Sequence, residues 1–367
     1  MKSLNFKEIL SLETVSPIDT YKIQRPIVLY GAGGFAEASL KVYKSYNIEP
    51  IAICDSNPNK IGSDFFGYTI KSFDEVISQY TDFDIAITAF KYYDEIKSFL
   101  LRYIPPEKIV SPVNENYTSY SEQYRSLINN NQQSLNTICS EVSDSKSVQV
   151  LENILKASVS NDISYFDAVR TGDQYFPEGI INLSHDEYFI DAGAFYGDTL
   201  QEFIQKVDNK YGRVYSFEPF AECFLKLEDI KYNIYNNDNR ISLFKYGLYS
   251  DNRRVGFNNS IGVGATRVDE NFNDINSIDV VSIDNTIKDK VTLIKMDIEG
   301  SELAALKGAK NTILKYKPKL AICIYHKPED IIEIPEFIMD LGLEYKYYFR
   351  HHGISPFIQN ETVFYAV

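Results

Sequence analysis

Tyr188-Phe189-Ile190-Asp191-Ala192-Gly193-Ala194-Phe195-Tyr196-Gly197-Asp198-Thr199 is the stretch that decides the fold. An apolar strand ends in an acid, a turn with two glycines follows, and Leu200 to Val207 continue as a helix. The same unit recurs downstream. Val214-Tyr215-Ser216-Phe217 runs into Glu218-Pro219 and a helix from Ala221 to about Ile230, and Ile241-Ser242-Leu243-Phe244 is a third strand. Val291 to Asp297 is a fourth, followed by a helix through Leu303, Leu306 and Ile313. Leu320 to Tyr325 is a fifth, with a helix near Ile331 to Leu341. Tyr345 to Phe349 and Thr362 to Val367 close the region as an antiparallel pair. Strands alternating with helices and finished by a hairpin predict an α/β, doubly wound sheet with one reversed strand.

A smaller α/β unit precedes it. Ile27-Val28-Leu29-Tyr30 is a strand, Gly31-Ala32-Gly33-Gly34-Phe35-Ala36 a glycine turn, and Leu40, Val42 and Tyr43 fall at helical spacing. Ile51-Ala52-Ile53-Cys54 ends in Asp55, a helix covers Phe73 to Tyr80, and Ile85-Ala86-Ile87-Thr88 is a third strand. Between the units, Leu127, Ile128, Leu135, Ile138, Val142, Val148, Leu151, Ile154 and Leu155 keep an approximate helical period through a polar tract. The expected organisation is a Rossmann-like domain over 1–113, a helical linker over 114–180 and a larger domain over 181–367.

Composition excludes several classes. The 367 residues carry 37 basic and 51 acidic side chains, net −14, so polyanionic partners such as nucleic acid, and anionic membrane surfaces, are not expected. No apolar run approaches the roughly 18 to 20 residues that span a bilayer, and the first residues lack a signal-peptide core. The four cysteines, Cys54, Cys139, Cys223 and Cys323, are scattered and form no CxxC pair. A cytoplasmic protein is expected. Abundant Tyr (28) and Phe (23) without Trp fit an AT-rich bacterial genome.

The chemistry gathers where strands end. The turn Gly193-Ala194-Phe195-Tyr196-Gly197-Asp198-Thr199 puts backbone N–H groups and a helix N-terminus against a ligand, or else serves only to pack helix on strand. Glu218, 27 residues after Asp191, is placed to accept both hydroxyls of a ribose. Neither turn carries a lysine to neutralise phosphate, which favours a nucleoside with a cationic tail, and S-adenosylmethionine fits. Lys295, Asp297 and Glu299 fall on one side of their strand and its outgoing turn, and converging ionisable groups mark sites. His326 ends the fifth strand, where it could take a proton from an acceptor hydroxyl. It could also join Asp297 and Glu299 around a divalent metal, or simply bond to backbone. Arg350 and His351 follow the sixth strand, either gripping a phosphate or sugar hydroxyls or lying in a solvated loop.

The runs Phe189 to Thr199, Phe217-Glu218-Pro219, Ile294 to Glu302 and Leu306-Lys307-Gly308-Ala309 resemble the FkbM family of S-adenosylmethionine-dependent methyltransferases, over roughly residues 175 to 367. The resemblance implies a class I methyltransferase fold and O-methylation of sugars or other hydroxylated small molecules. It implies that Asp191, Gly193 and Gly197, in a turn with Ala194, Asp198 and Thr199, line the cofactor and that Glu218 holds its ribose. Asp297 and Glu299 would face the methyl group and the acceptor. Gly31, Gly33 and Gly34 fit G-x-G-x-x-G/A, and Asp55 lies 24 residues beyond Gly31. With Asp55 to Gly62 and Gly67 to Ile70, this region resembles the Rossmann-like start of PglD-type sugar acetyltransferases. A nucleotide, NAD, or a purely structural role are all open there.

The expected function is therefore an S-adenosylmethionine-dependent O-methyltransferase acting on a small hydroxylated acceptor, a sugar or nucleotide-sugar of surface-polysaccharide synthesis. Lys295, Arg350 and His351 are the expected substrate contacts, and Asp297, Glu299 and His326 the expected catalytic groups. Methyl transfer needs no metal, because the sulfonium is already activated. Two other classes stay open: an NAD-linked oxidoreductase, which lacks an evident Tyr-x-x-x-Lys pair, and a non-catalytic nucleotide-binding protein. A homo-oligomer is compatible with all three.

Overall fold

The computed structural model describes residues 3–15, 25–89, 92–110, 112–113, 120–258, 267–269, 277–353 and 361–367. In the N-terminal unit the strands are β1 (Ile27–Tyr30), β2 (Ala52–Cys54), β3 (Asp64–Phe65), β4 (Tyr68–Thr69), β5 (Asp84–Ile87) and β6 (Ile109–Val110). Four of them form a sheet ordered β2-β1-β5-β6, all parallel. Every residue of β1, β2 and β5 is buried, as strands covered on both faces must be. Apolar clusters lie on either face, one around Phe73, Val76 and Leu100 and the other around Leu40 and Tyr43.

The second unit contains β7 (Tyr188–Ala192), β8 (Arg213–Phe217), β9 (Ile241–Phe244), β10 (Gly247–Leu248), β11 (Arg253–Asn258), β12 (Arg267–Asp269), β13 (Ser277–Val281), β14 (Leu293–Met296), β15 (Lys319–Cys323), β16 (Tyr347–His351) and β17 (Thr362–Ala366). Seven of these make a sheet ordered β16-β17-β15-β14-β7-β8-β9. Only β17 runs against its neighbours, pairing antiparallel with both β15 and β16. Order reverses between β7 and β14, which is where an open α/β sheet places its ligand.

Alternation along the strands sorts side chains onto two faces. Phe189, Leu293 and Ala321 join one cluster with Phe203 and Val214, while Ile190, Ile294 and Ile322 join the other. That second cluster also contains Ile9, Ile128, Leu135, Leu151 and Leu155. Helices Ser121–Asn130, Gln132–Glu141 and Ser145–Ser160 were expected as a linker, yet they cover one face of the sheet and share its core. The early helix Phe6–Ser11, placed by sequence within the first domain, packs there as well through Phe6 and Ile9.

A further four-stranded sheet, β10-β13-β11-β12, was not anticipated. Its short strands carry Arg253, Arg254, Ser277 and Asp279, which hide a strand pattern, and it supplies one wall of the cavity described next.

Candidate functional site

A cavity of about 450 Å³ opens at the C-terminal ends of β7, β8 and β14. The first turn shapes it. Gly193 adopts φ +75°, and a Cβ there would lie 1.9 Å from the carbonyl oxygen of Asp297, so only glycine lets the turns after β7 and β14 approach this closely. Phe195, at φ +46°, is a left-handed residue with a side chain, and Gly197, at φ +80°, caps the helix Asp198–Lys206. Strain of this kind persists where surrounding contacts fix it. Here Gly193 and Ala194 both donate N–H bonds to Phe217 O, at 3.0 Å each, and Phe195 N–H donates to Glu218 Oε2 at 3.0 Å.

Glu218 is thus held by the turn it faces. Its other oxygen accepts from Phe220 N–H at 2.9 Å. The carboxyl is only 4% exposed, and burial outweighs these bonds to push its pKa up to about 7. Each oxygen has one backbone partner and keeps acceptor capacity towards the cavity it lines. Around it, Phe217, Pro219, Phe220, Tyr246, Leu248, Ile278 and Val280 make an apolar wall suited to a flat heterocycle.

Behind the turn lies an internal ion pair. Lys295 stands opposite Asp191 in the β14–β7 register, and its Nζ lies 3.1 Å from Asp191 Oδ1. The same ammonium donates to Ala192 O at 3.1 Å and Gly193 O at 2.7 Å and sits 4.9 Å from the Tyr175 ring centre. Burial opposes the charge on Lys295, but Asp191 and Asp297 outweigh it and raise the pKa. Through these contacts Lys295 holds the two strand ends together, and it also lines the cavity, where it was expected to contact substrate.

The third turn carries the charged end. Asp297 accepts from Tyr175 OH at 2.6 Å and Tyr325 OH at 3.1 Å, and lies 3.3 Å from His326 Nε2. Burial would raise its pKa, but the bond to His326 and the charges of His326 and Lys295 hold it well below the usual range. His326 Nε2 also lies 3.6 Å from Glu299, and Nδ1 lies 3.0 Å from the fully buried Glu302. Burial disfavours the imidazolium, but Glu302 and Asp297 overcome it and raise the pKa well above 6.5. Both ring nitrogens of His326 thus face carboxylates, and the ring, for which taking a proton from an acceptor hydroxyl was one expectation, stands behind the cavity lining. Glu299 takes φ +57° and also lines the cavity, as does Glu361, whose pKa burial and the nearby Asp297 push up to about 7.

Of the residues singled out by sequence, Gly193, Asp198, Thr199, Glu218, Lys295, Asp297 and Glu299 line this one cavity. Arg350 and His351 do not. Arg350 is 9% exposed, pairs with Asp144 at 2.5 Å and donates to Ser147, because the helix Ser145–Ser160 lies against β16. His351 is fully buried, bonds Thr362 and stacks on Phe166. Both are structural. Gln174, Tyr175, Tyr325 and Glu361 line the cavity without having been anticipated, and only Tyr325, beside His326 at a strand end, left a sequence signal.

The N-terminal turn differs. Gly31, at φ +112°, allows close approach to Ala89, and Gly33 and Gly34 start a helix at Gly34–Ser45. Asp55, 24 residues beyond Gly31, accepts from Ala32 N–H at 2.9 Å, Asn57 N–H at 2.8 Å and Lys60 Nζ at 3.0 Å. Burial works against its charge, and these donors outweigh burial to lower its pKa.

The strand order and the placement of the cavity define the class I methyltransferase fold. Within it, residues 191–350 match the family described as the methyltransferase FkbM domain. Among solved structures, methyltransferase FkbM from Methylobacillus flagellatus KT is similar over 99% of this chain and 98% of its own, with TM-score 0.68 and 24% identity. An rRNA methylase from Streptococcus thermophilus matches over 50% of this chain and 87% of its own, with TM-score 0.32 and 13% identity. The S-adenosylhomocysteine-bound methyltransferase PaMTH1 from Podospora anserina matches over 76% and 95%, with TM-score 0.31 and 8% identity. No curated protein sequence matches the chain. No helix among the described residues is long and apolar enough to cross a membrane.

Proposed function

We propose that the chain is an S-adenosylmethionine-dependent O-methyltransferase whose acceptor is a small hydroxylated molecule, a sugar free or carried on a nucleotide, as in surface-polysaccharide synthesis. The observation that carries this reading is that Glu218 and the strained glycine turn share one cavity with Asp297, Glu299 and Glu361. The residues fit the cofactor: Glu218 is buried, oriented by two N–H groups and faces an apolar wall, as a ribose beside an adenine requires. Bound S-adenosylmethionine supplies a methyl group already activated on a sulfonium. The acidic rim formed by Asp198, Asp297 and Glu299 suits that positive charge.

The chain's own residues then position the acceptor. The Asp297 carboxylate, kept ionised, accepts a hydroxyl's hydrogen bond, while Tyr175 and Tyr325 fix the carboxylate in place. Glu361, titrating near neutrality at the same end, is the better group to take the hydroxyl proton as the oxygen is methylated. Gln174 and Glu299 add amide and carboxylate partners for neighbouring hydroxyls. The N-terminal domain serves as a structural or docking unit in this reading, because its acid is consumed internally.

Incubation with methyl-labelled S-adenosylmethionine and a panel of sugars, nucleotide-sugars and low-mass cell extract tests this. The expected product holds its label through mild alkali, as an ether does, and Asp297→Asn lowers its formation at least about a hundredfold. Alkali-labile label would indicate a methyl ester instead. Failure to bind S-adenosylhomocysteine would overturn the reading altogether.

A further inference from the structure

His326 has a carboxylate on each side of its ring. Nε2 lies 3.3 Å from Asp297 Oδ1 and 3.6 Å from Glu299 Oε2, and Nδ1 lies 3.0 Å from Glu302 Oε1. Metal bonds of about 2.1 Å at ordinary angles place neighbouring ligand atoms roughly 3.0 to 3.5 Å apart. The separations at Nε2 are close to that spacing. Asp297, Glu302 and His326 each offer a ligand atom, all within 4.8 Å of one another.

Two further observations point to a cation. Glu302 is fully buried and its Oε1 accepts from Ile298 N–H at 2.7 Å, but its Oε2 is buried with no hydrogen-bond partner among the described residues. A buried carboxylate oxygen left so is costly unless something positive meets it. Carboxylates also outnumber cations here. Asp297, Glu299 and Glu302 surround the imidazole of His326, while Lys295 lies on Asp191 and two carbonyls and Lys327 donates to Gly300 O.

We propose that Asp297, Glu302 and His326, with Glu299 at the rim, form a binding site for a first-row divalent cation at the floor of the cavity's acceptor end. One imidazole with carboxylate oxygens is a donor set that suits Mn²⁺, Fe²⁺ or Zn²⁺ better than Ca²⁺. Glu302 and His326 lie beneath the surface, with side chains 0% and 7% exposed, while Asp297 and Glu299 face the cavity at 21% and 32%. The open positions of such an ion therefore point towards the acceptor, where a hydroxyl could complete its coordination. The site stands on this geometry alone and does not require the methyl-transfer reading.

The test is a Mn²⁺ titration of the chelator-treated full chain, following the electron paramagnetic resonance of free Mn²⁺. The expected result is one ion bound per chain, with affinity reduced at least about tenfold in His326→Ala and in Glu302→Gln. Glu299→Gln, at a partly exposed rim position, guards against a folding failure in the other two and should weaken binding by a smaller factor. A wild-type chain that leaves all Mn²⁺ in the free signal overturns the proposal, as does Mn²⁺ binding unchanged by all three substitutions. Titration of the same preparations with S-adenosylhomocysteine reads the Glu218 end separately, so failure of one reading does not mimic failure of the other.

Discussion

The chain contains two glycine turns, each leading from a strand into a helix and each followed by an acid at the next strand end. At the N-terminal turn, Asp55 is occupied by two backbone N–H groups and the ammonium of Lys60. At the second, Glu218 receives two backbone N–H groups and, among the described residues, no hydrogen bond from a cation, and it faces a cavity. Their titrations part accordingly: the carboxyl of Asp55 is pulled down and that of Glu218 is pushed up to about 7. A nearby lysine five residues along the chain makes the difference between a closed turn and an open one. The shared sequence signature describes a backbone shape, and the partners of the acid decide whether that shape holds a ligand.

The largest effect is expected at Gly193. Gly193→Ala should abolish S-adenosylhomocysteine binding and cost about 3 kcal/mol or more, since the new Cβ overlaps the Asp297 carbonyl at a positive φ. Calorimetric titration and thermal unfolding check both effects. The exchange of acids comes next. Glu218→Ala should weaken the ligand by about 10- to 100-fold, in line with loss of charge-assisted bonds worth roughly 1.5 to 3 kcal/mol. Asp55→Ala should leave affinity unchanged while lowering stability by about 1 to 3 kcal/mol, because two N–H groups and an ammonium lose their acceptor.

A pH series sharpens the contrast further. Affinity for S-adenosylhomocysteine should rise by up to about tenfold between about pH 6 and about pH 8, following the ionised fraction of a carboxyl titrating near 7. In the ligand-free fold the two acids act with opposite sign. Glu218, raised from 4.5, favours its protonated form, so its contribution to stability falls as pH rises from about 4.5 to about 7. Asp55, lowered from 3.8, stabilises the fold above that value, and the contribution is lost as pH falls through its folded pKa. Arg350→Ala, like Asp55→Ala, acts on stability alone. It should destabilise the fold by removing the partner of Asp144 and leave ligand affinity unaltered, as parallel melting curves and titrations would show.

The strands carrying the site were legible because each is a short apolar run ending in polar residues: β7 at Asp191, β8 at Glu218 and β14 at Asp297. The period of two placed Lys295, Asp297 and Glu299 together, and adjacent parallel strands completed the pairing with Asp191. What sequence left dark arrives from far along the chain. Tyr175 comes from the segment before β7 and Glu361 from just before β17, and no local period links either to Asp297. Arg350 and His351 were misplaced for a related reason. The pair reads as a grip on phosphate or sugar hydroxyls, or as a solvated loop, until the helix Ser145–Ser160 is seen lying over β16. Asp55 misled because spacing shows where an acid stands and nothing of what already binds it.

In the proposed function the second turn holds a nucleoside and the first does not. S-adenosylhomocysteine titrated into the wild-type chain, Glu218→Ala and Asp55→Ala tests it most directly. One site per chain is predicted, weakened about 10- to 100-fold in Glu218→Ala and unaltered in Asp55→Ala. No binding to the wild-type chain, or binding lost with Asp55 and kept without Glu218, would contradict it.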